Sequence, residues 1–196
     1  MKFKKTIVSL LLLAALICGL FCLSGCGKKG GPDYTVTDRV RIEMENGGII
    51  DIELYGEIAP ITVANFLKLV NEGFYDGLTF HRVIQGFMIQ CGDPTGTGLG
   101  EADETIKGEF ALNGFDNPIS HVRGVVSMGR KGNGYNTASS HFFICHADKP
   151  SLDGRYAAFG RVYAGMEVVD AIAVTPTDSN DKPLVDQVIR CITVLP

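Results

Sequence analysis

"VRIEMENGGIIDIELY", residues 40–55, alternates apolar and polar side chains on both sides of an Asn-Gly-Gly step. Val40, Ile42 and Met44 share a face before Asn46-Gly47-Gly48, and Ile50, Ile52 and Leu54 share a face after it. A period of two puts alternate side chains on one surface of a strand. Asn and Gly supply the backbone conformations that tight hairpin turns need. The stretch predicts a β-hairpin with one buried face.

The period changes downstream. In "APITVANFLKLVNEG", residues 59–73, Val63, Phe66, Leu67 and Val70 recur at i, i+3, i+4 and i+7. Pro60 stands at the start and Gly73 just past the end, which predicts a helix with one apolar stripe. Short β-like runs follow at 79–84, 87–91, 123–128, 141–145, 157–162 and 187–194, with a second short helix near 165–172. Many strands, two helices and no βαβ rhythm predict a mainly β fold, a closed antiparallel barrel. The 24 glycines agree with a chain of many turns.

Upstream of the hairpin the chain reads as a targeting segment. Lys2, Lys4 and Lys5 precede the uncharged stretch "TIVSLLLLAALICGLFCL", and "LSGC" closes it at residues 23–26. A charged start, an apolar run and small residues before a cut describe a secretory signal. The Cys at the cut resembles a bacterial lipobox, which implies a signal peptide over 1–25 and lipidation at Cys26. Two or more acyl chains give stable membrane anchoring. "GKKGGPDYTVTD", residues 27–38, then reads as a flexible tether, and the folded domain is expected over 39–196. Removing 25 of 196 residues, three of them lysines and none acidic, takes the formal charge from −4 to −7. That balance leaves no basic footprint for nucleic acid. Of six cysteines, Cys91, Cys145 and Cys191 remain beyond the lipobox, set among apolar neighbours and read as small buried hydrophobes.

The familiar catalytic templates fail. "GTGLG", residues 96–100, lacks the third glycine of a dinucleotide loop, because Glu101 stands there, and no Walker motif occurs. His81, His121, His141 and His146 have no metal-ligand spacing, so neither metal nor cofactor is expected. No G-x-S-x-G elbow occurs. One oddity remains. "TFHRVIQGFMIQCGDP", residues 79–94, keeps Arg82 inside a run that otherwise reads as buried strand. An arginine is almost never fully buried without a partner. It either faces water from a sheet edge or is held in a pocket to act. His81 beside it should face the other way, as a hydrogen-bonded structural residue.

"FHRVIQGFMIQCGDP", "SMGRKGNGYNTASSHFFI" and "LDGRYAAFGRV", in this order, resemble the cyclophilin-type peptidyl-prolyl cis–trans isomerases from about Val40 to the C-terminus. The resemblance implies an eight-stranded barrel capped by two helices, a groove for proline-containing polypeptides, and no cofactor. Arg82 matches the family's catalytic arginine, and Gln90 matches the side chain that helps hold Arg82 and the substrate backbone. Phe87, Met88, Phe143 and Leu152 match the walls of the proline pocket, and Gly129 the small residue beside the groove. Three positions depart from the family: Ser151 replaces a tryptophan, Tyr156 a histidine, and Arg130 an asparagine. Tyr156 keeps an aromatic face and a hydroxyl for substrate, and none of the three removes Arg82, so activity should survive with altered affinity.

These readings converge on a monomeric, lipid-anchored isomerase that assists exported proteins to fold outside the cytoplasmic membrane. The competing reading is a proline-peptide-binding module or holdase chaperone with incidental catalysis. Arg82, Gln90 and Tyr156 do not change charge between about pH 6 and 8, so a flat activity profile is expected. The lipobox reading has its own test. Cys26→Ser should abolish acylation and leave uncleaved precursor in a membrane fraction. Wild-type protein recovered from the soluble exported fraction without lipid on its mature N-terminus would refute it.

Overall fold

The hairpin forms as its alternation requires. In the computed structural model, which describes residues 34–132 and 134–196, β1 (Asp38–Met44) pairs antiparallel with β2 (Ile49–Leu54). The register sets Val40 opposite Ile52 and Ile42 opposite Ile50, and Val40, Ile42, Met44, Ile50, Ile52 and Leu54 are buried. Gly47 sits at φ 86°, and Asn46 Oδ1 accepts the Gly48 N–H at 3.0 Å to close the turn. The signal peptide, Cys26 and the tether up to residue 33 lie outside the described residues.

The folded unit spans Tyr34–Pro196, and residues just before 39 make contacts with it. The Thr37 N–H donates to the Leu54 carbonyl at 3.0 Å, and the Tyr34 and Tyr55 rings meet at 5.4 Å. The end of the stretch read as tether is therefore packed against the domain.

Six further strands complete one antiparallel sheet: β3 (Arg82–Ile84), β4 (Met88–Cys91), β5 (Val125–Met128), β6 (Phe142–Cys145), β7 (Ala158–Ala164) and β8 (Ile189–Leu195). Their spatial order is β3-β4-β6-β5-β7-β2-β1-β8. The expected closed barrel is corrected: the sheet is an open, curled half-barrel. No ladder joins β3 to β8. Among the described residues only a lone bridge, Thr79 to Val188, and a few hydrogen bonds of residues 77–80 with 187–189 span the gap. β3 is three residues long, and its Val83 N–H is taken by the Asp181 carbonyl at 2.8 Å, so its outer edge is occupied by a loop.

Two helices pack on the sheet, α1 (Pro60–Asn71) and α2 (Met166–Ala173). α1 buries Val63, Phe66, Leu69 and Val70, whereas Leu67, read as part of the stripe, is only partly covered. Phe66 meets Tyr75, Phe142 and Phe159 with ring centroids 5.2–5.4 Å apart, which anchors the helix in an aromatic core. A second apolar cluster forms around Met88, Phe143 and Cys145. Phe142 enters the first cluster and Phe143 the second, as neighbours on a strand must face opposite ways. Cys91 and Cys145 are buried, with thiols pushed up to about 12 by burial, while Cys191 is partly exposed.

Two buried polar groups have opposite status. Glu109 is fully buried, yet its carboxylate accepts the Ile61 and Thr62 N–H groups and the Thr62 hydroxyl at 2.7–3.0 Å. Ala59 offers α1 no side-chain cap, so a residue 48 positions away from Ile61 supplies one and neutralises the positive helix end. His81 is 5% exposed and its Nδ1 has no hydrogen-bond partner, contrary to the hydrogen-bonded role expected for it. Burial, helped by the neighbouring His141 and Arg82, lowers its pKa from 6.5 to about 4.

Glu109→Ala should lower unfolding free energy by about 2–4 kcal/mol, since it strands two buried donors and one partly buried donor at a helix terminus; urea unfolding measures this. His81 gives a pH dependence of definite sign. Between pH 6.5 and about 4 the unfolded chain takes up a proton that folded His81 refuses, so stability falls as pH drops through that window. The denaturant midpoint should be lower at pH 4.5 than at pH 7, and His81→Leu should shrink the difference. An unchanged difference would assign the loss to other groups.

Candidate active site

The β3–β4 hairpin turns at Gly86, with φ 75°, and the Phe87 N–H returns to the Ile84 carbonyl at 3.0 Å. This turn fixes Arg82 opposite Gln90 and Ile84 opposite Met88. The next ladder sets Gln90 opposite Phe143 and Met88 opposite Cys145, and the one beyond sets Phe143 opposite Ser127. Arg82, Gln90 and Phe143 thus form a row across three strands, while Val83 and Ile89 on the reverse face enter the core. A cation, an amide and an aromatic ring are placed side by side by register alone.

All eight residues singled out for catalysis or substrate binding line one cleft of about 750 Å³: Arg82, Phe87, Met88, Gln90, Gly129, Phe143, Leu152 and Tyr156. Met88 and Phe143 are 2% and 5% exposed and form its floor. Tyr156 stands edge-on to Phe143 at 5.8 Å, and Leu152 closes the wall from a short 3-10 turn, Pro150–Leu152. Gly129 is needed by close approach: a Cβ there would come within 2.9 Å of the His141 Cβ.

Phe143 is backed by an arrangement that motif reading missed. The His121 ring lies nearly parallel to it, with centroids 6.1 Å apart and planes at 19°. His121 Nε2 is 3.0 Å from Ser127 Oγ, and its Nδ1 is 2.9 Å from Asp153 Oδ1. The order Ser, His, Asp copies a hydrolytic triad. Ser127 and His121 are both buried, at 0% and 1% exposure, so no substrate carbonyl reaches the hydroxyl. Burial lowers the His121 pKa, with Asp153 opposing. The triplet props the aromatic floor. Ser127 and His121 are six residues apart, but Asp153 joins them from 32 positions beyond His121, and no short motif spans that separation.

Arg130 is held among aromatic rings. Its guanidinium lies over the rings of Tyr156, Phe110 and Tyr135 at 4.8, 5.3 and 5.4 Å, and its Nε donates to the Arg155 carbonyl at 3.0 Å. The charge is stacked on Tyr156 and lines the same cleft.

The partner of Arg82 is corrected. Its Nε donates to Asp181 Oδ2 at 3.3 Å, and not to Gln90. Asp181 adopts φ 64°, the one non-glycine residue at positive φ among the described residues, and this left-handed turn brings its carboxylate beside the β3 edge. Both members are about 40% exposed, so the ion pair is worth little, about 0–1 kcal/mol, and can yield to a substrate. Among the described residues Arg82 makes no other hydrogen bond, which leaves its terminal nitrogens open to the cleft. Gln90 instead places Nε2 3.2 Å from His141 Nδ1. His81, expected to face away, lines the cleft too, its ring 5.2 Å from that of His141.

The loop after β4 is held by Asp93, whose carboxylate accepts the N–H groups and hydroxyls of Thr95 and Thr97 and the N–H of Gly98. Burial opposes its charge, but these hydrogen bonds prevail and hold it well below the usual carboxylate range. Among the described residues no group of three or more His, Cys, Asp or Glu could hold a metal ion, and no described helix is long and apolar enough to cross a membrane.

Residues 39–194 match the family model described as "Cyclophilin type peptidyl-prolyl cis-trans isomerase/CLD". The chain is 52% identical over 124 residues to peptidyl-prolyl cis-trans isomerase B of Bacillus subtilis, covering 63% of this chain and 82% of that one. It is 46% identical over 143 residues to peptidyl-prolyl cis-trans isomerase-like 1 of Rhizopus delemar, covering 72% and 84%. Its fold superimposes on a crystal structure of a Cryptosporidium parvum cyclophilin-type isomerase with a TM-score of 0.74 at 34% identity, over 81% of this chain and 98% of the other. The same parasite protein in the presence of the dipeptide Ala-Pro gives 0.74 at 33% identity, over 81% and 99%. With the family's fold, its motifs and its cleft all present, the chain belongs to the cyclophilin-type peptidyl-prolyl cis–trans isomerases.

Proposed function

We propose that the cleft grips a proline ring against Met88, Phe143 and Leu152 while Arg82 lowers the barrier to rotation of the preceding peptide bond, without proton transfer. The observation that carries this reading is the cross-strand row that sets a guanidinium with open terminal nitrogens beside a buried aromatic floor. Rotation about X–Pro must break amide resonance, a barrier of about 18–20 kcal/mol. Unaided it takes tens to hundreds of seconds. A turnover of about 10–1000 per second needs roughly 4–7 kcal/mol of selective stabilisation. As the bond twists, the proline nitrogen regains its lone pair. A donor already aimed at that position favours the twisted state over both planar ones. Arginine suits the task because it stays charged and presents several donors in a rigid fork. Phe87 and Tyr156 flank the ring, and Gln90 engages the substrate backbone.

The clients we propose are exported proteins, assisted in folding by an enzyme tethered through lipidated Cys26 to the outer side of the cytoplasmic membrane. The "LSGC" run after an uncharged apolar stretch supports this placement.

Arg82→Ala should reduce turnover of a short X-Pro peptide by about two to three decades, because a charge-assisted donor in a water-poor cleft is lost. Peptide affinity should change far less. Arg82→Lys should recover little, since one ammonium cannot reproduce the fork. Stability should change by less than about 1 kcal/mol, as expected for a half-exposed side chain. Isomerisation kinetics, peptide titration and urea unfolding measure the three quantities. Near-normal turnover in folded Arg82→Ala protein would reduce Arg82 to a sheet-edge charge, and intact peptide binding with no wild-type turnover would favour the holdase reading.

A further inference from the structure

Gln90 and His141 meet in the cleft, and the chemistry of their partners decides which atoms donate. His141 Nε2 lies 2.5 Å from the Gly100 carbonyl oxygen. A carbonyl only accepts, so Nε2 carries the ring hydrogen. In a neutral imidazole the other nitrogen is then a bare acceptor, and that nitrogen, Nδ1, is the one 3.2 Å from Gln90 Nε2. The Gln90 amide therefore turns its NH2 group toward His141 and its carbonyl oxygen away from the ring. Among the described residues nothing donates to that oxygen, and it is not sealed from solvent. The register puts Gln90 between Arg82 and Phe143, so the free acceptor sits between the cation and the aromatic floor.

We infer that His141 is a positioning residue that sets the polarity of Gln90: the neutral ring makes the amide present an acceptor to a substrate backbone N–H, and the protonated ring withdraws it. An imidazolium donates from both nitrogens, so Nδ1 can no longer accept from Gln90. The amide must then turn over to offer the ring its oxygen, which leaves its NH2 group beside Arg82. The cleft would hold donors only. The inference rests on the isomerase reading of the cleft and revises the flat pH profile expected from Arg82, Gln90 and Tyr156 alone.

The groups facing His141 leave it as the residue able to act this way. His81, packed against it at 5.2 Å, stays neutral down to about pH 4 and does not titrate alongside. Arg82 on β3, Asp93 after β4 and Lys182 in the turn before β8 bring fixed charges to the neighbouring His81 ring. Glu101, next to Gly100, is occupied by Lys131.

The test combines a direct view of the ring with kinetics, on the full-length protein. Nitrogen-15 NMR of labelled histidines reads the His141 tautomer and its titration midpoint. Turnover of a short X-Pro peptide is followed from pH 5 to 8 for wild type, His141→Ala and His141→Gln. The ring should be the Nε2–H tautomer at pH 8, and wild-type kcat/KM should fall on acidification with the midpoint that NMR gives for His141. His141→Ala should lose about three- to tenfold at pH 8, the worth of one hydrogen bond. A glutamine amide can donate to Gly100 and accept from Gln90 without titrating, so His141→Gln should restore most of that loss and give a flat profile. An Nδ1–H tautomer, or the same pH profile in wild type and His141→Gln, would overturn the inference. Absence of wild-type turnover at every pH would instead sink the isomerase reading, while the tautomer would still be decided by the NMR result.

Discussion

Antiparallel register across β3, β4 and β6 is the constraint on which the site depends. Strand side chains alternate, so shifting β4 by one residue against its neighbours would send Gln90 and Met88 inward and push Ile89 and Cys91 outward. That slip would bury an unpaired amide and expose two core residues, and each change opposes it. The packing that stabilises the domain and the placement that serves chemistry are therefore one choice. The Gly86 turn and the Phe66–Phe142 contact both hold the register, one from the chain end and one from the core.

Around the row, polar groups are divided between those fully committed to other protein groups and those left available. Glu109 and Asp93 are satisfied by several donors each and brace a helix end and a loop. Ser127, His121 and Asp153 satisfy one another beneath Phe143, and Arg130 is spread over three rings, Tyr156 among them. Arg82 is different. Its single ion pair uses Nε, is half exposed, and leaves the outer nitrogens free. Rigid neighbours are what the role proposed for Arg82 asks of the site, since the supporting dipoles must not reorganise when charge develops.

The buried Ser-His-Asp triplet shows why residue identity and spacing do not by themselves define chemistry. Its hydrogen bonds have the lengths of a hydrolytic triad, yet its serine has no access to substrate and its histidine is stacked flat under an apolar wall. The same three residue types therefore act as scaffolding here. Burial decides between the two roles, and burial is a property of the fold.

The sequence by itself determined the local pieces: the β1–β2 hairpin from its alternation and Asn-Gly-Gly turn, both helices from their period, and the cleft residues from motifs long enough to resemble one family. These are legible because each rests on neighbours a few positions apart. The family resemblance named eight residues that line one cleft, and it implied a closed barrel where the sheet is open, because β3 is short and edged by Asp181, a residue 99 positions from Arg82. Only the tertiary structure assigned Arg82 to Asp181, Gln90 to His141, Arg130 to its rings and Glu109 to the start of α1. Each joins segments far apart in the chain, and side-chain partners at that range are selected by packing, which no local pattern encodes.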